Sequence, residues 1–218
     1  MNILLVDDHP MTVEGFINAL SQVNFPQNKT VFTKAHNCED GFNAILKSAK
    51  NHPPFDLAII DQGLPSYCEQ NILSGSDLAL FIRKTMPTCK IIMITAHAEV
   101  IIIYDIVKKV RPDSLINKND INPDNLQLIV TEVMQGNQYH SPIIKNCINE
   151  IQKKELMFDD FNRQILNYLS QGFKVKELEG VVCLSASTIQ KRIIQMKNAF
   201  DVSDDTGLVK GAIKQGFI

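Results

Sequence analysis

Along the first 136 residues the apolar positions fall into short, nearly continuous runs, separated by longer stretches in which they recur every three or four residues. The runs NILLV (2–6), TVFTKA (30–35), LAII (57–60), KIIMIT (90–95) and SLIN (114–117) are short and mostly rich in β-branched residues, and they predict strands. The intervening periodicity predicts helices over Met11–Ser21, Glu39–Lys50, Ser76–Thr85, Glu99–Val110 and Pro123–Gln135. Asp77 near the start of the third and Pro123 in the first turn of the fifth are favourable helix-end residues. Five strand–helix repeats predict an α/β domain over 1–136, a parallel sheet wrapped by crossover helices.

The pattern then changes. After the turn-rich QGNQYHSP (135–142), the apolar positions Ile143, Ile144, Ile148 and Ile151 lead into QKKEL, which makes 137–155 a linker with a connecting helix. Residues 156–218 read as an all-α domain: a helix, a turn at Gln171-Gly172, a short helix, a turn at CLSA (183–186) and a longer helix opening near Ser187. That order is a helix-turn-helix outline. Ile189, Ile193, Met196 and Phe200 give the long helix one core stripe, and the opposite face carries Ser187, Lys191, Ile194, Gln195 and Asn198 with Gln190 and Arg192 flanking.

Composition agrees with two modest domains in 218 residues: 44% hydrophobic and 21% charged residues suit ordinary folded cores without low-complexity tracts. No apolar run approaches the ~18 residues a membrane span needs, and the start of the chain lacks a signal-peptide pattern, so a cytoplasmic protein with no membrane partner is expected. Five scattered cysteines, none in a CxxC pair, suggest neither a disulfide framework nor a zinc site. The histidines (His9, His36, His52, His97, His140) likewise lack metal-ligand spacing. Charge is mildly uneven: 15 acidic against 11 basic residues over 1–136, and 9 against 10 over 150–218. The second half is thereby permitted near phosphate backbones, though not assigned to them.

The polar residues at the strand ends carry the chemistry. In an open α/β sheet ligands sit beyond the carboxyl ends of the strands, and there Asp7 and Asp8 follow the first strand, Asp61 the third, Thr95 ends the fourth and Lys118 follows the fifth. Three crowded carboxylates repel one another unless a cation sits among them, and Mg²⁺, which takes hard oxygen ligands and keeps waters that a phosphate can replace, fits. Lys118 and Thr95 would then meet the same phosphate, and Asp61, alone on the central strand, is best placed to accept a phosphoryl group.

LLVDDH, LAIIDQGLP, MITAH and SLINK, in this order, resemble the receiver domain of two-component response regulators, a flavodoxin-like (βα)5 fold, over roughly 1–136. The resemblance implies that Asp61 accepts phosphoryl from a sensor histidine kinase and that Asp7, Asp8, Asp61 and the Gly63 carbonyl hold Mg²⁺. It implies further that Thr95, Lys118, Ala96 and Leu115 form the phosphate-binding and switch set. Two departures stand out. Receivers usually carry an aromatic ring at the position of Leu115, and SYCEQNILS (66–74) places nine residues between Pro65 and Gly75 where about three are usual. The insertion is expected to overhang the site as a lid or a tolerated surface loop. In the helix EVIIIYDIVKKV, Val100, Ile103, Val107 and Val110 supply a core stripe, while Ile101, Ile102 and Tyr104 are expected to meet a second copy or the C-terminal domain.

QGFKVKELEGVVCLSASTI through GAIKQGFI resembles the DNA-binding domain of NarL/FixJ-type (LuxR-type) regulators, with Gly172, Lys176, Glu177, Ser185 and Thr188 matching. Promoter DNA would be met by Lys174, Lys176, Ser187, Thr188, Gln190, Lys191, Arg192, Ile194, Gln195 and Asn198. In the tail, Leu208, Val209, Ala212 and Ile213 are expected either to pair two copies in a phosphorylated homodimer or to close the small core. The expected whole is a transcription regulator and not a turnover enzyme. Two rivals are an aspartyl-nucleophile phosphatase, which needs a second Asp where Gly63 stands, and a receiver that switches by protein contact without phosphorylation.

Overall fold

The computed structural model describes residues 1–23, 29–51, 53–153 and 155–218, so His52 and Lys154 lie outside the described residues. Strands β1 (Asn2–Val6), β2 (Val31–Ala35), β3 (Leu57–Asp61), β4 (Lys90–Thr95), β5 (Ser114–Asn117) and β6 (Tyr139–His140) form one parallel sheet in the order β2-β1-β3-β4-β5-β6. The helices between them are α1 (Pro10–Leu20), α2 (Cys38–Asn51), α3 (Gly75–Thr85), α4 (Val100–Asp105) and α5 (Pro123–Met134).

Side chains alternate across each strand, so both sheet faces need cover. Ile3, Leu5, Leu57, Ile59, Ile92, Ile94 and Ile116 pack with Val13 and Leu20 of α1 and with Leu126, Ile129, Val130 and Val133 of α5. The alternate residues Leu4, Val6, Ala58, Ile60, Ile91, Met93 and Leu115 are equally buried. This two-sided burial explains the nearly continuous apolar runs, because a central parallel strand has no solvent face. At the bottom of the sheet Asp113 accepts from the Ile91 amide (2.9 Å), Arg83 (2.8 Å) and Lys90 (2.9 Å), tying β4, α3 and the start of β5 together.

Two features differ from expectation, and a third gains a definite shape. The helix after β4 is α-helical only to Asp105 and continues as a π-helical turn over Ile106–Val110, so Ile106 is buried and Val107 only half-buried. The wider π turn places Ile106 and Val110 on one face and turns Val107 aside. A sixth strand arises within the segment expected to be a turn-rich break. The insertion at 66–74 is a tight hairpin, in which Tyr67 and Ile72 exchange amide bonds (2.7 and 3.1 Å) around a 3-10 turn at Cys68–Gln70. This surface hairpin is anchored by aromatic contacts: the Tyr67 ring meets Phe42 of α2 edge-on at 5.8 Å, and Phe42 packs on Phe81 of α3 at 4.7 Å.

The chain divides into two compact units, one of 1–98 with 105–145 and one of 99–104 with 146–218. The boundary crosses the connecting helix α6 (Pro142–Lys153), and residues 137–145 stay with the sheet. In the second unit α7 (Asp160–Ser170), a 3-10 turn (Val175–Gly180), α8 (Ala186–Phe200) and α9 (Asp205–Lys214) enclose Ile165, Leu166, Leu178, Val182, Ile189, Ile193, Met196, Leu208, Ala212 and Phe217. Asp159, Ser185 and Asp204 cap the three helices by accepting amides of Asn162, Thr188 and Gly207. Gly172 takes φ +91° in the turn after α7, a conformation that favours glycine.

Candidate functional site

β1, β3, β4 and β5 end on one rim, where their last apolar residues give way to Asp7, Asp61, Thr95 and Asn117-Lys118. Asp7 is 2% exposed, Asp61 5% and Thr95 0%, so these polar groups are sunk at the top of the core. Lys118 reaches back over the rim, its Nζ 3.0 Å from Oδ2 of Asp61 and 3.2 Å from Oδ2 of Asp7. Burial pushes the Asp61 carboxyl above its ordinary 3.8; Lys118 opposes that rise, and the nearby Asp7 and Asp8 add to it. For Lys118 burial lowers the affinity for its proton, but the bonds and charges of Asp61 and Asp7 outweigh this, and the net shift is upward from 10.5. The ammonium is therefore fixed as a cation among carboxylates.

The donor set fits a hard divalent cation. Oδ1 of Asp8 is buried and accepts no hydrogen bond, although His9 Nδ1 lies 2.7 Å away with its ring largely exposed. The same imidazole nitrogen is 3.2 Å from Oδ1 of Asp7, so one ligand atom from each of Asp7, Asp8 and His9 lies within a 4.8 Å cluster. Coordination of a hard cation would satisfy the clustered carboxylate oxygens that the lone imidazole nitrogen serves only in part. His9 was outside the expected set, since it has no partner histidine in sequence; its signal was simply adjacency to the acid pair. Mg²⁺ would be held by Asp7, Asp8 and Asp61, with Gly63, which is exposed, following Asp61 by two residues.

Gly75 is a second residue that sequence reasoning had only as a landmark. A Cβ there would sit 1.9 Å from the Asp61 carbonyl oxygen, and the Gly75 amide donates to the Gln62 carbonyl at 3.1 Å. Helix α3 thus starts directly against the backbone of the central acid, and only glycine allows it. Ser76 Oγ adds a bond to the Gln62 side chain (2.6 Å).

A family model described as the response regulator receiver domain matches residues 3–131. The chain belongs to the response regulators. Its sequence is 23% identical over 99% of this chain and 94% of its counterpart to a probable transcriptional regulatory protein NarL of Mycobacterium tuberculosis. It is 20% identical to the transcriptional regulatory protein DegU of Brevibacillus brevis, covering 100% of this chain and 95% of that one. Among solved structures, two RcsB dimers bound to two parallel DNAs match with TM-score 0.66 and 18% identity over 98% of both chains. RcsB of Salmonella enterica serovar Typhimurium, bound to promoter rprA in the presence of phosphomimetic BeF3-, matches with TM-score 0.63 and 17% identity over 97% of both. These likenesses extend the fold across the whole regulator, beyond the receiver.

Of the residues expected to form the switch set, Ala96 is exposed beside Thr95, whereas Leu115 is fully buried and its amide donates to Nδ1 of His140 (3.2 Å). The side chain at this position therefore packs inside the receiver. In the second unit Tyr104 stacks on Phe158 at 3.6 Å and 9°, and Ile101 and Ile102 are half-buried.

On α8, Ser187, Gln190, Lys191, Ile194, Gln195 and Asn198 are all exposed, as are Lys174 and Lys176 before it. Ile194 is 58% exposed, an isoleucine left in water in the middle of a polar face. Two expected members of this face are differently employed. Arg192 donates to Asp159 (2.7 Å) and Asn162 (2.9 Å) and lies over the Phe161 ring, so its long side chain fastens α8 to the start of α7. Thr188 is half-buried, with its hydroxyl 2.9 Å from Ser185 in the helix cap. In α9, Leu208 and Ala212 are fully buried and close the small core, which corrects their expected place on a pairing surface; Val209 is half-buried and Ile213 is 55% exposed. At α9 the Leu208–Ala212 side therefore faces inward, because a unit this small draws on its last helix for core, while Ile213 stays in solvent.

Proposed function

We propose that this regulator accepts a phosphoryl group on Asp61 from a sensor histidine kinase and thereby controls the binding of its C-terminal helical unit, as a dimer, to promoter DNA in the cytoplasm. The observation that carries the proposal is the Asp61 carboxylate, buried at the end of the central strand, paired with Lys118 and flanked by Asp7 and Asp8. In the transfer, a carboxylate oxygen of Asp61 attacks phosphorus, and the new O–P bond forms as the N–P bond of the donor phosphohistidine breaks. The electron pair returns to the imidazole nitrogen. A bound Mg²⁺ supplies charge neutralisation for the phosphoryl oxygens. Lys118 meets one of those oxygens as a fixed cation, and Thr95 donates its hydroxyl hydrogen to another.

For DNA, Lys191 and the exposed amides of Gln190, Gln195 and Asn198 offer groups for base edges and phosphates, and Ile194 offers an apolar contact for a thymine methyl. Lys174, Lys176 and Ser187 belong to the phosphate-contacting margin. The similar RcsB chains, solved on DNA and as dimers, support this assignment.

The test uses the full chain with Mg²⁺ and a small phosphoryl donor, followed by intact mass, sedimentation and retention of DNA fragments, for wild type and Asp61→Asn. A single Asp61-dependent phosphoryl adduct that raises dimerisation and DNA retention is expected. Absence of the adduct, or an adduct unaffected by Asp61→Asn, overturns the proposal.

A further inference from the structure

Asn117 is a fully buried amide at the end of β5, between the residue that carries the fold's usual switch position and Lys118. Burying an amide costs stability unless every group is bonded. Here its Oδ1 accepts the Asn119 amide (3.0 Å), its Nδ2 donates to the His97 carbonyl (2.9 Å), and its backbone N–H donates to Oγ of Ser141 (3.0 Å). The Asn119 amide can only donate, so it fixes Oδ1 and aims the Nδ2 group at His97. One residue thus holds the loop behind Lys118, the loop behind Thr95 and the linker.

The two ends of this arrangement continue outward. The His97 amide donates to Oγ1 of Thr95 (3.0 Å), so a threonine that moves toward a phosphoryl oxygen draws His97 with it. Ser141, itself fully buried, donates its amide to the Leu115 carbonyl (3.2 Å). Beside it His140 accepts the Leu115 amide, and the Ile143 amide donates to Asp120 (2.9 Å). Strand β6 and the first turn of α6 are therefore stitched to the strand and loop that present Lys118.

We infer that Asn117 is a positioning residue that couples the Thr95 loop to the linker strand β6, so that movement at the acid rim reaches the linker through hydrogen bonds across β5. The inference rests on the proposed phosphorylation of Asp61 for its biological use, but the coupling itself exists in the resting protein. It gives the chain a route that needs no aromatic ring at position 115, where Leu115 is immobilised in the core. Asn117 touches no transferring atom; it acts through Thr95, Lys118 and Ser141.

The experiment has two arms on the full chain. In the resting protein, amide hydrogen exchange is followed for wild type, Asn117→Ala, Ser141→Ala and Ser141→Thr. Ser141→Ala is expected to speed exchange about tenfold both at 139–143 and across the linkage at 96–98, and Ser141→Thr, which keeps the acceptor oxygen, to restore protection. Acceleration confined to 139–143 overturns the inference. In the second arm, Mg²⁺ and beryllofluoride are added. Wild type is expected to change exchange at 139–143, while Asn117→Ala binds beryllofluoride but loses that change. An unaltered linker response in Asn117→Ala also overturns it. If wild type itself takes no phosphoryl or beryllofluoride group, the proposed function falls, and the resting arm still decides the coupling.

Discussion

Replacing Gly75 by alanine tests how rigidly the central acid is seated. The new methyl would begin 1.9 Å from the Asp61 carbonyl oxygen, 2.8 Å from its carbon and 3.1 Å from Cα of Gln62, where real Cβ contacts stay beyond 3.0 Å. The closest neighbour is backbone of a central strand, so no side chain can swing away, and the start of α3 and the end of β3 must part by about 1.1 Å. Overpacking of this kind costs ~1–3 kcal/mol, and the Gly75 amide bond to Gln62 stretches with it. We expect Gly75→Ala to lose about 2 kcal/mol in urea unfolding. A misplacement near ~1 Å at a reacting group can cost about a hundredfold in rate, so phosphoryl uptake from a small donor should slow by ~10- to 100-fold. Gly15→Ala is the control: nothing lies within 4 Å of its Cβ position on α1, and alanine there should stabilise by up to ~1 kcal/mol. An unchanged urea midpoint together with wild-type uptake in Gly75→Ala would refute the close approach.

Other outcomes follow from the same geometry. Asp113→Ala should cost about 3 kcal/mol in urea unfolding, because Arg83 and Lys90 lose their shared carboxylate. Burial raises the Asp113 pKa, but the Ile91 amide, Lys90 and Arg83 outweigh it, so the folded value lies below 3.8. Its stabilisation is therefore present above the unfolded pKa and lost as pH falls through the folded one; acid unfolding curves of wild type and Asp113→Asn should converge there. His140 is held below 6.5 by burial and then by Lys145, so its neutral, hydrogen-bond-accepting form contributes stability above pH 6.5 that is lost as pH falls toward the folded pKa. Protection of the β6 amides, measured against the intrinsic exchange rate at each pH, should fall as pH drops below about 6.5, and a His140→Gln variant should not show that step. Lys191→Ala should weaken DNA retention and reduce the salt slope by up to ~0.9 without altering stability. Arg192→Ala should instead destabilise the C-terminal unit by ~1–3 kcal/mol, read by its thermal unfolding.

Strand positions were legible because two-sided burial writes itself as continuous apolar runs, and all five expected strands agree with the observed ends to within a residue. The acid rim was legible for a related reason: each run stops where a polar residue emerges on the same side of the sheet. What stayed hidden depends on distant partners. β6 has no apolar run, since Tyr139 and His140 become a strand only through the Asp113 and Leu115 backbones offered at the sheet edge. The π turn at 106–110 is set by how Ile106 and Val110 pack, and an α-helical projection assigned Val107 in its place. Arg192 projects to the flank of the exposed face at 100° per residue, yet a side chain that long reaches Asp159 on another helix. The stripe of α9 fitted core closure and pairing nearly equally well from sequence; Leu208 and Ala212, at 0% exposure, belong to the core, while Val209 and Ile213 keep an accessible edge.

Charge balance on the rim explains why the polar loops behind it matter. Asp7, Asp8 and Asp61 contribute about −3, and Lys118 returns about +1, leaving a deficit of about −2 that a divalent cation would offset. Phosphorylation exchanges one carboxylate charge for about −1.5 to −2 and adds acceptor oxygens, so the balance turns negative again and unmet acceptors appear where none existed. Within the rim Thr95 is the neutral donor available to answer them, and its Oγ1 already accepts from the His97 amide, which leaves its own hydrogen to donate. The hydroxyl therefore reaches for phosphate without releasing His97, and whatever distance it moves is imposed on the loop that Asn117 holds. On the proposed phosphorylation, the excess charge of one added phosphoryl group would be converted into displacement of a buried amide, and the linker strand is the next element bonded to it.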